Sequence, residues 1–382
     1  MSAFADYQNE VYLNGMLGKQ PPLPFGWRAV RDAAHAVMSP QAIGFVEGSA
    51  GTEDTALANR EAFAHWRLVP RMLRGIPAAR SHVTTLLGTS MPAPVMLAPV
   101  GVLSIVHPDA ELAVARAAAG LGVPMVVSTA ASHAMEDVMA AADGPKWFQL
   151  YWPSDPELAA SFVQRAEAAD YDAIVVTLDT WQLGWRPRDL ATGYLPFLQG
   201  HGIANFLSDP VFLRGLRAGD QAAAVLKFVS VFNNPTLTWD DLAWLRSQTS
   251  LPVVLKGIQH PDDVRHAADA GVQAVVCSNH GGRQVDGAIG SLDALPGIVD
   301  AAGDLPVLFD SGVRTGADAC KALALGAAAV LLGRPWVHGL GLAGQAGVHH
   351  VLRCFLADLD LQAGLSGHAS TAELNRESLV RA

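Results

Sequence analysis

Short apolar runs recur along the chain at residues 95–99, 125–128, 147–151, 173–179, 253–257, 274–278, 307–310 and 329–333. Each is too short for an ordinary helix and is apolar or β-branched nearly throughout, as expected of strands covered on both faces. Alanine-rich segments with helical spacing lie between them, at 109–121, 156–169, 261–270 and 315–325. Several open on Ser, Asp or Pro and close on Gly, the chemistry of capped helix ends. Eight strands alternating with helices predict an α/β fold, a closed (β/α)8 TIM barrel. A doubly wound open sheet is the alternative.

The pattern predicts one domain over residues 1–382. Residues 1–90 read as helices packed beneath or beside the barrel, 91–340 as the barrel, and 341–382 as C-terminal helices. Residues 180–245, rich in Gly, Pro and Trp, interrupt the repeat after the fourth strand. A loop that long at the catalytic face is expected to be a lid or an interface.

Composition narrows the function classes. Only 16% of residues are charged and half are hydrophobic, so a large core is expected. The net charge of −10 argues against a sequence-independent grip on nucleic acid, which needs a basic face. Cys277, Cys320 and Cys354 show no metal-ligand spacing, and the first two read as core residues in a reducing compartment. Neither a secretory apolar core near residue 1 nor a membrane-length apolar run is present, so a cytoplasmic protein with no membrane attachment is expected.

The strands end on polar residue types: Gln149 and Tyr151, Thr177 and Asp179, Lys256, Ser278 and His280, Asp310. Barrels place their chemistry at those ends. In Ser278-Asn279-His280-Gly281-Gly282-Arg283 an imidazole that titrates near neutrality stands three residues from a permanent cation suited to a carboxylate. The plain alternative is an ordinary loop. Lys256, costly inside an apolar run, could stabilise a reduced ring, and Asp179 could orient His280. Either could instead belong to a structural ion pair. Asp310-Ser311-Gly312-Val313-Arg314 and Gly333-Arg334-Pro335 follow the last two strands, where barrels commonly build a phosphate site. Two tight turns with surface arginines are the alternative. The Gly339, Gly341, Gly344 spacing matches a dinucleotide fingerprint but lies outside a βαβ unit, and His349-His350 reads as surface. No metal site is expected.

Together these three motifs resemble the FMN-dependent α-hydroxy-acid oxidase and dehydrogenase family, and most of all its lactate 2-monooxygenase branch. The resemblance covers nearly the whole chain. It extends to Trp66-Arg67-Leu68-Val69-Pro70-Arg71, Leu178-Asp179-Thr180-Trp181, Gly184-Trp185-Arg186-Pro187-Arg188 and Lys256-Gly257-Ile258-Gln259-His260-Pro261. It implies FMN as cofactor, with a small 2-hydroxy acid and O2 as partners and a homotetramer or homo-octamer as the assembly. By the same resemblance His280 would be the base, assisted by Asp179. Arg283 and Arg186 would bind the substrate carboxylate and Tyr151 the α-hydroxyl. Ala98, Pro99, Val100 and Gly101 would line the flavin ring, Gly101 sparing bulk where oxygen or substrate approaches. Ser128, Gln149, Thr177 and Ser278 would bond its polar edge, with Lys256 at the N1/C2 side. Asp310, Gly312, Arg314, Gly333 and Arg334 would hold the phosphate end.

The same resemblance implies oxidation of an L-2-hydroxy acid to the keto acid, which is retained and decarboxylated. A peroxide-releasing oxidase, a quinone-linked dehydrogenase and a non-catalytic flavin barrel are the rivals. One position departs from the family. Phe45 stands where a tyrosine hydroxyl usually reaches the substrate carboxylate. A hydrogen bond to a charged group is worth roughly 1.5–3 kcal/mol. Its loss costs about tenfold to a hundredfold, so a substrate other than lactate is in view.

Overall fold

In the computed structural model, which describes residues 4–382, the chain begins with four helices. They are α1 (Asp6–Met16), α2 (Trp27–His35), α3 (Pro40–Glu47) and α4 (Asp54–Glu61). A short strand, β1 (Trp66–Leu68), and the hairpin β2 (Thr84–Leu86) and β3 (Thr89–Met91) follow. The eight predicted runs then form β4 (Val95–Leu97), β5 (Met125–Ser128), β6 (Lys146–Leu150), β7 (Ile174–Thr177), β8 (Val253–Ile258), β9 (Ala274–Cys277), β10 (Val307–Phe309) and β11 (Ala329–Leu332). All pair in parallel, and β11 bonds back to β4, which closes the barrel and excludes the open sheet.

The first three crossovers carry α5 (Ala110–Ala119), α6 (Met135–Ala140) and α7 (Pro156–Ala168). The start of α7 shows why it forms there: Asp155 accepts from the amides of Glu157 and Leu158, and Pro156 opens the first turn. The 180–245 insertion is folded rather than a loop. It contains α8 (Pro187–Thr192), α9 (Ala204–Leu207), α10 (Pro210–Leu213), α11 (Gln221–Phe232) and α12 (Asp241–Ser247). Its aromatics form a core of their own, with Phe228 4.9 Å from Phe206, 5.1 Å from Phe197 and 5.0 Å from Phe232, ring to ring. The barrel finishes with α13 (Pro261–Asp269), α14 (Ser291–Ala302), α15 (Gly316–Ala324) and α16 (Arg334–Leu365).

Alternation along each strand splits the apolar residues in two. Leu97, Val127, Phe148, Val176, Leu255, Val275, Phe309 and Val330 belong to the core shared with the helices. Met96, Val126, Trp147, Val175, Val254, Val276, Leu308 and Leu331 fill the barrel interior. The N-terminal segment only partly matches the expected helices beneath or beside the barrel. The hairpin, not a helix, plugs the lower end: Leu86 and Met91 join the interior cluster, and Trp147 Nε1 donates to Thr89 Oγ1 at 2.8 Å. α3 and the turn after it instead reach the upper mouth, where the carbonyls of Phe45 and Gly48 accept from Arg283.

Beyond the barrel, α16 starts directly after β11, so the expected division near residue 340 falls inside a helix. The chain ends not in a helix but in β12 (Leu379–Arg381), antiparallel to β1. The glycine spacing at 339–344 serves packing within α16. A Cβ on Gly339 would lie 2.6 Å from the Gly347 carbonyl oxygen, and Gly344 takes φ 58° at a break in the helix. His350 is buried rather than on the surface, with its ring nitrogens 3.1 Å from Tyr7 Oη and 3.0 Å from the Pro24 carbonyl oxygen. A ring whose two nitrogens both find partners inside the fold needs no water.

Candidate active site

The interior register generates the site. Moving two residues up from Val126, Trp147, Val175, Val254, Val276 and Leu308 reaches Ser128, Gln149, Thr177, Lys256, Ser278 and Asp310. All six are buried. Polar residues at the next inward-facing position form a ring at the C-terminal mouth. Above it lies a cleft of ≈ 1140 Å³, lined along one side by Ala98, Pro99, Val100 and Gly101 and elsewhere by Phe45, Tyr151, Arg186, Lys256, His280, Arg283, Asp310, Gly312, Arg314, Gly333 and Arg334. Ser128, Gln149, Thr177, Ser278 and Asp179 lie outside that lining.

Within the ring, Ser128 Oγ donates to Gln149 Oε1 at 2.9 Å. Gln149 Nε2 and Thr177 Oγ1 are buried without a protein partner. Unpaired buried polar atoms are costly, so both call for a polar ligand. Lys256 Nζ is 3.1 Å from Asp310 Oδ2 and donates to Ser278 Oγ at 2.8 Å. Burial works against the ammonium, but Asp310 and Asp179 more than offset it, and its pKa is raised. The Asp310 carboxylate is joined to Lys256 and Ser311. The Ser278 hydroxyl accepts from Lys256 and from the His280 amide and keeps its own O–H to donate.

His280 sits just past β9 in a left-handed turn, with φ 59° at His280, 68° at Gly281 and 80° at Gly282. A histidine rarely adopts that conformation, and such local strain collects at functional sites. Gly282 has no alternative: a Cβ would lie 2.6 Å from the Ala56 amide nitrogen. The turn brings His280 Nδ1 to 2.8 Å from Asp179 Oδ1, and Thr180 Oγ1 donates to the same oxygen. On the other side of the ring, Nε2 is 3.4 Å from Tyr151 Oη. Burial pushes the Asp179 carboxyl up, yet His280 and Lys256 overcome it and hold it at about 2. Burial lowers the His280 pKa, and Asp179 only partly restores it against Lys256 and Arg186. A neutral imidazole beside a fixed carboxylate is equipped to accept a proton at Nε2.

Arg186 and Arg283 meet at the cleft. Arg186 Nε donates to the Arg283 carbonyl at 3.1 Å. Arg283 lies over the Phe45 ring, with Cζ 5.1 Å from its centre, and donates to the Phe45 carbonyl at 2.7 Å. Burial, then Arg186 and Arg334, push the Arg283 guanidinium well below its ordinary pKa. Burial, then Arg334 and Arg60, push Arg314 down to about 9. Crowded buried cations are relieved by anions. Arg186 and Arg283 flank the His280 side of the cleft, where a carboxylate fits. Gly312, Arg314 and Arg334 also line an adjoining chamber of ≈ 810 Å³, whose wall carries Arg188 and the acids Glu47, Glu53 and Asp54 as well; its glycine and arginine side suits a phosphate. Gly101 is constrained by packing as well as by the cleft, since a Cβ would lie 2.6 Å from the Ala130 carbonyl oxygen.

Other residues that build the site escaped the sequence reading. Asn59 and Asn279 exchange amide hydrogen bonds at 2.7 and 2.8 Å, tying α4 to the catalytic turn. Gln284 accepts from Arg186 at 2.8 Å and donates to the Asp179 carbonyl at 2.8 Å, joining the insertion to the same turn. Gln284 directly follows the recognised motif, which is a usable signal; Asn59 offers none. Leu183, Phe197 and Phe232 bring an apolar wall from the insertion to the cleft.

A half-buried histidine–carboxylate pair, an arginine pair at the same cleft and further arginines where it adjoins a second chamber, at the mouth of a (β/α)8 barrel, suit an enzyme that oxidises a small carboxylic acid on a phosphate-bearing cofactor. The chain belongs to the FMN-dependent dehydrogenase family, whose sequence profile matches residues 34–381. It is 45% identical to the FMN-dependent alpha-hydroxy acid dehydrogenase qulF of Penicillium citrinum, over 99% of this chain and 96% of the relative. It is 42% identical to an L-lactate oxidase of Lysinibacillus sphaericus, over 95% of this chain and 94% of that one. The crystal structure of a mandelate oxidase superposes with a TM-score of 0.83 at 37% identity, covering 94% of this chain and 98% of the other. The protein is an FMN-dependent 2-hydroxy-acid oxidoreductase. The unpaired Gln149 and Thr177 atoms and the crowded arginines fit that cofactor's polar ring edge and phosphate.

Proposed function

We propose that the enzyme oxidises an L-2-hydroxy acid to its 2-keto acid with O2 as the electron acceptor, and that the keto acid is held and decarboxylated before release. The observation that carries the reading is His280, 2.8 Å from Asp179 behind it, lining one cleft with Arg186 and Arg283. FMN, when bound, would supply the acceptor for the two electrons that leave the substrate carbon. Arg186 and Arg283 hold the carboxylate, and Tyr151 bonds the α-hydroxyl. His280 Nε2 accepts a substrate proton while Asp179 stabilises the imidazolium. Ala98, Pro99, Val100 and Gly101 would line the cofactor ring, Ser128, Gln149, Thr177, Ser278 and Lys256 would serve its polar edge, and Asp310, Gly312, Arg314, Gly333 and Arg334 would hold its phosphate end.

Phe45, Leu183, Phe197 and Phe232 support an apolar substrate side chain larger than the methyl of lactate. The folded insertion over the cleft supports retention of the keto acid; were lactate the substrate, acetate, CO2 and water would result. The similarity to an L-lactate oxidase favours a second reading, in which the keto acid leaves first and hydrogen peroxide is released. Anaerobic bleaching of the flavin over a panel of aliphatic and aromatic 2-hydroxy acids tests the first half-reaction. Failure of every acid to bleach it would sink the proposal. Product analysis in air tests the second: CO2 matching substrate is expected, and stoichiometric free peroxide without CO2 selects the oxidase. A reducing cytoplasmic location and a homotetramer or homo-octamer belong to the same reading, the latter open to analytical ultracentrifugation.

A further inference from the structure

Three elements far apart in sequence converge beside the ≈ 810 Å³ chamber. His35 closes α2, Glu47 closes α3, and His338 lies one turn into α16. His35 Nε2 and His338 Nε2 stand 3.0 and 2.8 Å from the same atom, Glu47 Oε1. One ligand atom from each residue lies within 4.8 Å of the other two. The rings meet edge to face, with centres 5.7 Å apart.

We propose that His35, Glu47 and His338 form a binding site for a divalent transition metal, with zinc the best-matched ion. Two imidazoles and one carboxylate are a common donor set for such ions. Ligand atoms about 2.0–2.1 Å from a tetrahedral ion stand roughly 3.3 Å apart. The two nitrogen–oxygen distances need to open by only a few tenths of an ångström. Each imidazole can coordinate through Nε2 in the tautomer that carries its hydrogen on Nδ1. His338 is 2% exposed, while His35 and Glu47 are half-buried, so the cluster is anchored on one side and reachable from the other. Glu47 also lines the ≈ 810 Å³ chamber, the side from which a water would enter as fourth ligand.

Glu47 Oε1 is the shared point of the cluster and faces both imidazoles. The opposing influence is the pair of arginines, Arg314 and Arg334, which disfavour a second cation nearby. The FMN phosphate offsets them, so the holoenzyme is the form to test. A bound ion would clip α2 and α3 to α16 beside the chamber.

Holoenzyme is stripped with chelator, loaded with excess zinc chloride, desalted, and assayed for zinc by mass spectrometry and for melting temperature. The expected result is one zinc per chain and a higher Tm with zinc. In H338F and E47Q, zinc binding should weaken by more than the roughly 10–100-fold that follows loss of an outer-shell partner. H35Q, at the more exposed ligand, provides the same test if H338F does not fold, and FMN content reports folding in every variant. Failure of wild-type protein to retain zinc would overturn the site. So would equal retention by the folded variants, which would place the ion on other histidines.

Discussion

His280 lies under two opposing influences, and their balance predicts its pH dependence. Burial lowers its pKa and Asp179 raises it, with the net shift downward. The ring must be neutral to accept a proton. Activity should therefore persist below the ordinary histidine value of about 6.5 and fall only as pH drops through the lowered pKa. Asp179→Asn removes the charge that opposes the shift, so the inflection in kcat/KM should move lower still. Anaerobic flavin reduction should slow by on the order of 10²–10⁴-fold, with FMN retained. An inflection at or above the ordinary value in wild-type protein would contradict this balance. Phe45 is the other decisive residue. Its ring stacks under Arg283 but offers the carboxylate no donor. Phe45→Tyr should raise kcat/KM for lactate by about tenfold to a hundredfold. The same change should do less for an acid with a bulky apolar side chain, a contrast that steady-state kinetics on the two substrates will show.

The insertion after β7 is the element that most changed on folding. Its Gly, Pro and Trp content reads as a loop, yet α11 packs Phe228 and Phe232 against Phe197 and Phe206. The helical spacing of those phenylalanines was masked by short elements of four to twelve residues, each weak alone. Phe228→Ala leaves a cavity at the centre of this cluster. It should cost about 3–5 kcal/mol, measured by denaturant unfolding. Because Phe197 and Phe232 also line the cleft, KM should rise more than kcat falls. An unchanged KM in the destabilised variant would mean that the wall does not contact substrate. The barrel strands were far more legible. Each is a continuous apolar run, and the polar residue at its upper end marks where the interior register meets the mouth.

For the molecule as a whole, the cationic mouth makes stability depend on its anionic ligand. Apoprotein leaves Arg283 and Arg314 buried and crowded. Removing FMN should lower Tm. FMN at ~1,000 times its Kd should restore about 4 kcal/mol of stability. Inorganic phosphate alone should recover part of the loss in the apoprotein, and Arg314→Ala should abolish that recovery. Differential scanning calorimetry distinguishes this from a general salt effect by using chloride at matched ionic strength. Among the described residues no helix is long and apolar enough to cross a membrane.

Local patterning determined the eight strands, their alternation with helices, and the polar residues at the strand ends, because these depend on periodicity and capping within short stretches of chain. The motif around His280 was also readable residue by residue. Only the tertiary structure decided who stands beside whom. It placed Asp310 with Lys256, Asn59 with Asn279, and Glu47 between two histidines, and it turned a glycine-rich loop into a folded wall. Those pairings join residues up to 291 positions apart. No local periodicity encodes them; they follow from barrel closure and from the burial that forces each polar group to find a partner.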